Sequence, residues 1–186
     1  VETIADLEAA MDTALAAGET PIMLGNGDFT YAFPLQMIQN QLEGLDQVKD
    51  WIYQKDGATY DLPSSVEAAA KLQQWAEKGY FPADVNAIDY ATAIGSFTSG
   101  EGVFHFSGDW EAGGLTMNAP GEFGFFPFPG LTADAPKVAM AAPATYVVPT
   151  NAKNKDAIAY FLNWVHTDAK ARQIMLEYTG STPGGP

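Results

Sequence analysis

Apolar residues recur at helical spacing from the start of the chain. Ile4, Leu7, Met11 and Leu15 lie three and four apart between Thr3 and Gly18, with acidic residues in the first turns, which predicts an amphipathic helix closed by the glycine. Pro21-Ile22-Met23-Leu24 then reads as a short buried strand that enters the polar turn Gly25-Asn26-Gly27-Asp28. Helical period resumes from Phe33 through Leu35, Ile38, Gln39 and Leu42, with Pro34 suited to a first turn and Gly44 as the stop. Ser64-Ser65-Val66-Glu67 has the form of a capping sequence, and Val66, Ala69, Leu72, Trp75 and Ala76 predict a helix ending at Gly79.

Farther on, Asp89 can cap a shorter helix through Ala93, Ile94 and Phe97, ended by Gly100. Val103-Phe104-His105-Phe106 is a strand candidate leading to Asp109, which can cap a helix through Leu115. The stretch from Pro120 to Pro149 is rich in Pro, Gly and aromatics, so strand edges and crossings are expected there. Ile158, Phe161, Leu162 and Val165 share one face of a helix from Asn154, and another helix is expected from Asp168 to about Tyr178. The Gly- and Pro-rich tail from Gly180 has no means of ordering itself. No internal repeat is present.

A chain of 186 residues, 47% hydrophobic and only 17% charged, can bury a core, as one domain or as one large and one partial domain. No apolar run approaches the roughly 18 residues of a membrane span. Lys and Arg number 9 against 23 Asp and Glu, a net charge of −14. That excludes nucleic acid as a partner, because a phosphate backbone needs clustered cations, and it disfavours anionic lipid equally. The charge favours solubility without naming a ligand. With no cysteine, thiol catalysis, thiolate zinc sites and disulfides are excluded, while the compartment stays open. The chain starts at Val1 without a leader pattern, so the expectation is a processed or cut product whose export signal lies elsewhere.

Enzyme chemistry finds little footing. His105 lies between Phe104 and Phe106, where a packed imidazole is the simpler reading, and His166 lies near a helix end where the dipole accounts for it. Gly25-x-Gly27 lacks the third glycine of a dinucleotide fingerprint, and no nucleophile elbow, Walker or zincin motif occurs. Asp109 and Glu111 flank Trp110, but glycoside hydrolysis needs carboxylates facing each other across about 5 to 9.5 Å, and neighbours on one turn point apart. No calcium-loop spacing is present, so neither metal nor cofactor is expected. Asn26, Asp28, Tyr31, Asp109, Trp110, Glu111, Thr145 and Tyr146 fall in expected loops at strand ends. Carboxylates and amides that meet hydroxyls, with aromatic faces for C–H surfaces, suit a neutral polyol. The same residues also read plainly, with Trp110 in the core and Asp109 as a cap, and composition alone leans to that reading.

In order and spacing these pieces resemble the extracellular solute-binding proteins of sugar ABC importers, family 1, which includes the maltose-binding protein. The resemblance runs through Thr20–Gly25, Asp28–Pro34, Phe97–Trp110, the Phe-Pro-rich strand, Tyr146–Pro149 and Asn154–Leu162. It implies an α/β, periplasmic binding protein-like type II fold, present as a helix-rich, mixed-sheet lobe that is incomplete. Residues 1–145 would form the second lobe, and 146–186 the crossover and helices of the first. It implies a periplasmic or cell-surface, non-catalytic protein that captures a sugar and delivers it to membrane permeases. Trp110 matches the family's ring-stacking aromatic, and Asp28, Thr30 and Tyr31 match a ligand-contacting loop. Asp109 and Glu111 flank the stacking position, and Thr145 with Tyr146 would lie at the lobe crossing.

Family members are roughly twice this long, so the expectation is a fragment that binds weakly or not at all by itself. Its helices at 154–178 would pack on their own lobe or on a second copy. A non-sugar solute, such as a polyamine or a metal complex, stays open as the ligand in the same fold, and a glycan-active enzyme is the remoter alternative.

Overall fold

Thr3 opens the first helix with a reciprocal cap. Its hydroxyl accepts from the Asp6 amide at 3.2 Å, and the Asp6 carboxylate accepts from the Thr3 amide at 2.9 Å. In the computed structural model, which describes residues 1–135 and 146–180, α1 (Ile4–Ala16) buries Ile4, Leu7, Met11 and Ala14. Leu15, expected on that face, is 41% exposed. The further helices are α2 (Ala32–Glu43), α3 (Leu45–Ile52), α4 (Pro63–Glu77), α5 (Tyr90–Thr98), α6 (Ala112–Asn118), α7 (Lys155–Thr167) and α8 (Ala169–Thr179). They divide between two compact units, one holding Val1–Phe106 with the segment that starts at Phe125, the other Ser107–Gly124 with the C-terminal helices.

The first unit is built around Trp75 of α4, which is fully buried. Its ring stacks on Phe106 at 6.2 Å, and Phe106 in turn meets Phe128. Around it lie Leu7, Met11, Ile22, Leu24, Ile38, Leu72 and Tyr80. A buried indole N–H needs an acceptor, and Glu8 of α1 supplies one at 2.7 Å while also pairing with Lys71 at 3.1 Å. Burial alone would raise the Glu8 carboxyl, but these hydrogen bonds outweigh it and hold the group below the usual range.

The expected strands reduce, among the described residues, to isolated parallel bridges between Ile22 and Phe104 and between Thr3 and Gly130. Pro21–Leu24 runs between two neighbours. The Ile22 amide donates to the Tyr80 carbonyl on one side, and the Met23 amide to the Phe104 carbonyl on the other, each at 2.9 Å. Prolines at 21, 127 and 129 have no N–H to extend either pairing.

Other expectations shift by a few positions. The helix expected to be capped by Ser64 and Ser65 starts at Pro63, and Ser64 is buried inside it. Its inward face holds Ala68, Leu72 and Trp75, leaving Val66 66% exposed. Asp89 caps α5 as expected, accepting from the Thr92 amide at 2.7 Å. Asp109 does not cap the next helix. It opens a one-turn 3₁₀ segment, Asp109–Glu111, and α6 follows at Ala112.

In the second unit Asp168 caps α8, accepting from the Ala171 amide at 2.9 Å. α8 ends in the left-handed Gly180, where a side chain would lie 2.8 Å from the Gly113 nitrogen of α6. On α7 only Val165 is buried, and Phe161, expected beside it, is 54% exposed. No helix among the described residues is long and apolar enough to cross a membrane. The tail beyond Gly180 lies outside the described residues.

Candidate functional site

The first unit presents a loop from Gly25 to Tyr31 that backbone contacts fix against residues 85–90. The Asn26 amide donates to the Val85 carbonyl at 2.7 Å and the Gly27 amide to the Ile88 carbonyl at 2.8 Å. The approach is close enough that a Cβ on Gly25 would lie 2.4 Å from the Ile88 oxygen, so only glycine fits there. The Asn26 side chain donates to Asn86 at 2.9 Å, and the buried Thr30 hydroxyl donates to the Gly25 carbonyl.

Three of the expected ligand residues lie in this loop with unlike surroundings. Asp28 is exposed and its carboxylate accepts from the Tyr90 amide at 3.1 Å. Thr30 is 6% exposed, with its hydroxyl directed inward to Gly25. Tyr31 is half-buried against Phe81, ring centroids 4.9 Å apart, and burial pushes its phenol up to about 12. Between them stands Phe29, at φ 66° and 80% exposed. A left-handed backbone is rare for a bulky residue and costs about 1–3 kcal/mol. Sequence reading missed Phe29, and the available signal was one large apolar residue directly after the polar turn Gly25-Asn26-Gly27-Asp28.

In the second unit Trp110 is 47% exposed, between the half-buried Asp109 and Glu111. The indole lies on Gly108 so closely that a Cβ there would fall 2.1 Å from a ring carbon. One part of the ring is thereby seated on backbone while about half stays open to solvent, which overturns the reading of Trp110 as a core residue. Tyr146 is 51% exposed, its ring meeting His166 edge-on at 5.6 Å. Thr145 lies outside the described residues. His105, read as structural, is packed: its Nδ1 bonds the Met23 carbonyl at 2.7 Å and its ring stacks on Phe97 at 5.3 Å.

Each unit by itself offers open aromatic surface beside a carboxylate on a short segment, Phe29 with Asp28 in the first and Trp110 with Asp109 and Glu111 in the second, chemistry suited to hydroxylated ligands. No group of three or more His, Cys, Asp or Glu side chains suited to a metal ion occurs among the described residues.

The chain is similar in fold to several solved proteins. One, solved in connection with xylan utilization by the thermophilic bacterium Caldanaerobius polysaccharolyticus, shares 21% identity at a TM-score of 0.78, over 99% of this chain and 48% of its own. A chitin oligosaccharide binding protein gives 19% and 0.75, over 98% and 47%. A sugar transporter from Bacillus licheniformis in complex with stachyose gives 13% and 0.69, over 98% and 49%. The chain thus spans about half the length of these structures. At such identities they show the fold, an α/β periplasmic binding protein-like architecture. No curated protein sequence matches. The model of the bacterial extracellular solute-binding protein family matches residues 1–172, and the chain belongs to that family.

Proposed function

We propose that this protein is the extracytoplasmic, carbohydrate-binding component of an ABC importer, which captures its ligand without covalent chemistry and delivers it to membrane permease subunits. The observation that carries the reading is Trp110, held on Gly108 with about half its surface open, in a member of a solute-binding family. An indole face covers the C–H face of a pyranose, and carboxylates at Asp109 and Glu111 accept hydrogen bonds from hydroxyls. Asp28, Tyr31 and Tyr146 are further proposed contacts, and Thr145 is proposed from the sequence alone. Thr30 acts by holding the loop, through its bond to Gly25. The solved relatives described in connection with xylan, chitin oligosaccharide and stachyose support a sugar as the ligand class. Residues 1–145 are proposed as one lobe of the whole protein and 146–186 as the crossover and helices of the other. The site of action is the periplasm or cell surface.

Ligand-dependent tryptophan fluorescence tests this reading on the protein expressed from its whole gene. Of four tryptophans, Trp75 is buried, so a saturable change lost in Trp110→Ala would report the stacking contact. A response to spermidine and to no sugar would overturn the carbohydrate class. The net charge of −14 makes a polycation the second reading.

A further inference from the structure

Of the chain's seven asparagines, Asn26 is the one followed by glycine. That pair carries a chemistry of its own. The backbone nitrogen after an asparagine can attack the side-chain carbonyl, which makes asparagine a thermolabile residue, and a glycine there puts no side chain in the way. Here one segment holds both reacting groups. The Gly27 amide, the attacking nitrogen, donates to the Ile88 carbonyl at 2.8 Å. The Asn26 side-chain nitrogen, the leaving group, donates to Asn86 at 2.9 Å, and the Asn26 backbone amide donates to the Val85 carbonyl at 2.7 Å. Nucleophile and electrophile are thus each tied to residues 85–88 instead of meeting one another. Gly27 is exposed, so water has access to the pair.

We propose that Asn26 is a deamidation site kept latent by residues 85–88: docked on them the pair is inert, and lifted off them it reacts. The inference does not depend on the carbohydrate reading. The Gly27 nitrogen bonds to the Asn26 Cγ, the Cγ–Nδ2 bond breaks, and Nδ2 leaves as ammonia with the proton of the Gly27 amide. Water then opens the cyclic imide at either carbonyl, which gives an aspartate or, with one more carbon in the main chain, an isoaspartate. Both products add a negative charge beside Asp28. The isoaspartate cannot dock again, because the bonds to Val85 and Ile88 fix a spacing that the extra carbon breaks. No slack is available there, since a Cβ on Gly27 would already lie 3.0 Å from the Ile88 oxygen. A lasting release of the loop is therefore recorded covalently.

Peptide mass spectrometry of the protein expressed from its whole gene, sampled over days in mildly alkaline buffer, reads the conversion at Asn26. In urea, Asn26 should convert faster than the other six asparagines of this chain. In the folded protein it should convert about tenfold more slowly than in urea, or slower still, because reaction waits on local opening. Asn86 is exposed, so Asn86→Ala and Asn86→Ser remove one tie with little change in Tm. Each should raise the folded-state rate about threefold or more, the worth of one hydrogen bond. Should neither variant fold, wild type in urea below its unfolding transition reads the same release, as a rate that climbs before the fold is lost. Equal rates in folded and unfolded wild type would overturn the latch. So would a wild-type rate in the folded Asn86 variants, or a rate that stays flat up to the transition. No conversion of Asn26 in urea would remove the site altogether.

Discussion

Gly108 governs where Trp110 can lie. The ring carbons occupy the space that any Cβ at position 108 would need, with three of them within 2.4 Å of it, so a single methyl must push the indole off the backbone. Gly108→Ala is expected to shift Trp110 emission to the red as the ring enters water, and to weaken the proposed sugar binding about as far as Trp110→Ala does. The difference spectrum against Trp110→Ala isolates that ring. An unchanged emission and affinity would show that the seat is not required. From the sequence, Trp110 was legible as an aromatic between carboxylates, but nothing singled out Gly108. What it does depends on a ring two residues away folding back over it, and no spacing rule encodes that. Phe29 escaped for a related reason, since residue type gives no hint of a positive φ at a non-glycine position.

At the level of the elements, glycine stops were the most legible features, whereas of the caps read from the sequence only Asp89 closes its helix and Ser64, Ser65 and Asp109 do not. Thr3 with Asp6, Asp89 with Thr92 and Asp168 with Ala171 all close as local chemistry dictates. The α4 start was missed by a residue or two because Pro63, at the first helical position, already fits the helix and frees Ser64 to turn inward. α3 went unread although Leu45, Val48 and Ile52 recur at helical spacing; Trp51 is 42% and Ile52 61% exposed, and Trp51 is paired with Tyr60 at 4.8 Å. The Thr3 cap gives a direct test. Thr3→Ala removes the acceptor for the Asp6 amide and should cost about 1 kcal/mol, read as a lower urea midpoint at constant m, while Thr3→Ser should recover most of it. Equal losses in both variants would mean that the side-chain oxygen is not what holds the α1 terminus.

For the whole molecule, charge and burial oppose each other as pH changes. A net charge of −14 repels itself, and acid relieves that repulsion, yet the first unit depends on Glu8 remaining ionised between Trp75 and Lys71. The Glu8 carboxyl is held below its usual range when folded. On acidification the unfolded chain therefore takes up its proton first, and the stability this group contributes is lost as pH falls through the folded value. Asp6 and Asp89, lowered by cap hydrogen bonds, act in the same direction. At the alkaline end the sign reverses. Burial pushes Tyr31 up to about 12, so from an ordinary phenol value of about 10 upward the unfolded chain releases its proton first, and stability falls as pH rises toward 12. Tyr60 and Tyr80, also raised chiefly by burial, add to this limb. Salt separates the two effects, because it screens the diffuse surface repulsion far more than the partly buried Glu8 pair. Urea unfolding in high salt should therefore still show the acid limb, made shallower by Glu8→Gln, and an alkaline limb made shallower by Tyr31→Phe. An acid slope that Glu8→Gln leaves unchanged would remove Glu8 from the acid limb and leave the loss to the cap carboxylates Asp6 and Asp89, and an alkaline slope unchanged in Tyr31→Phe would remove Tyr31 from the second limb.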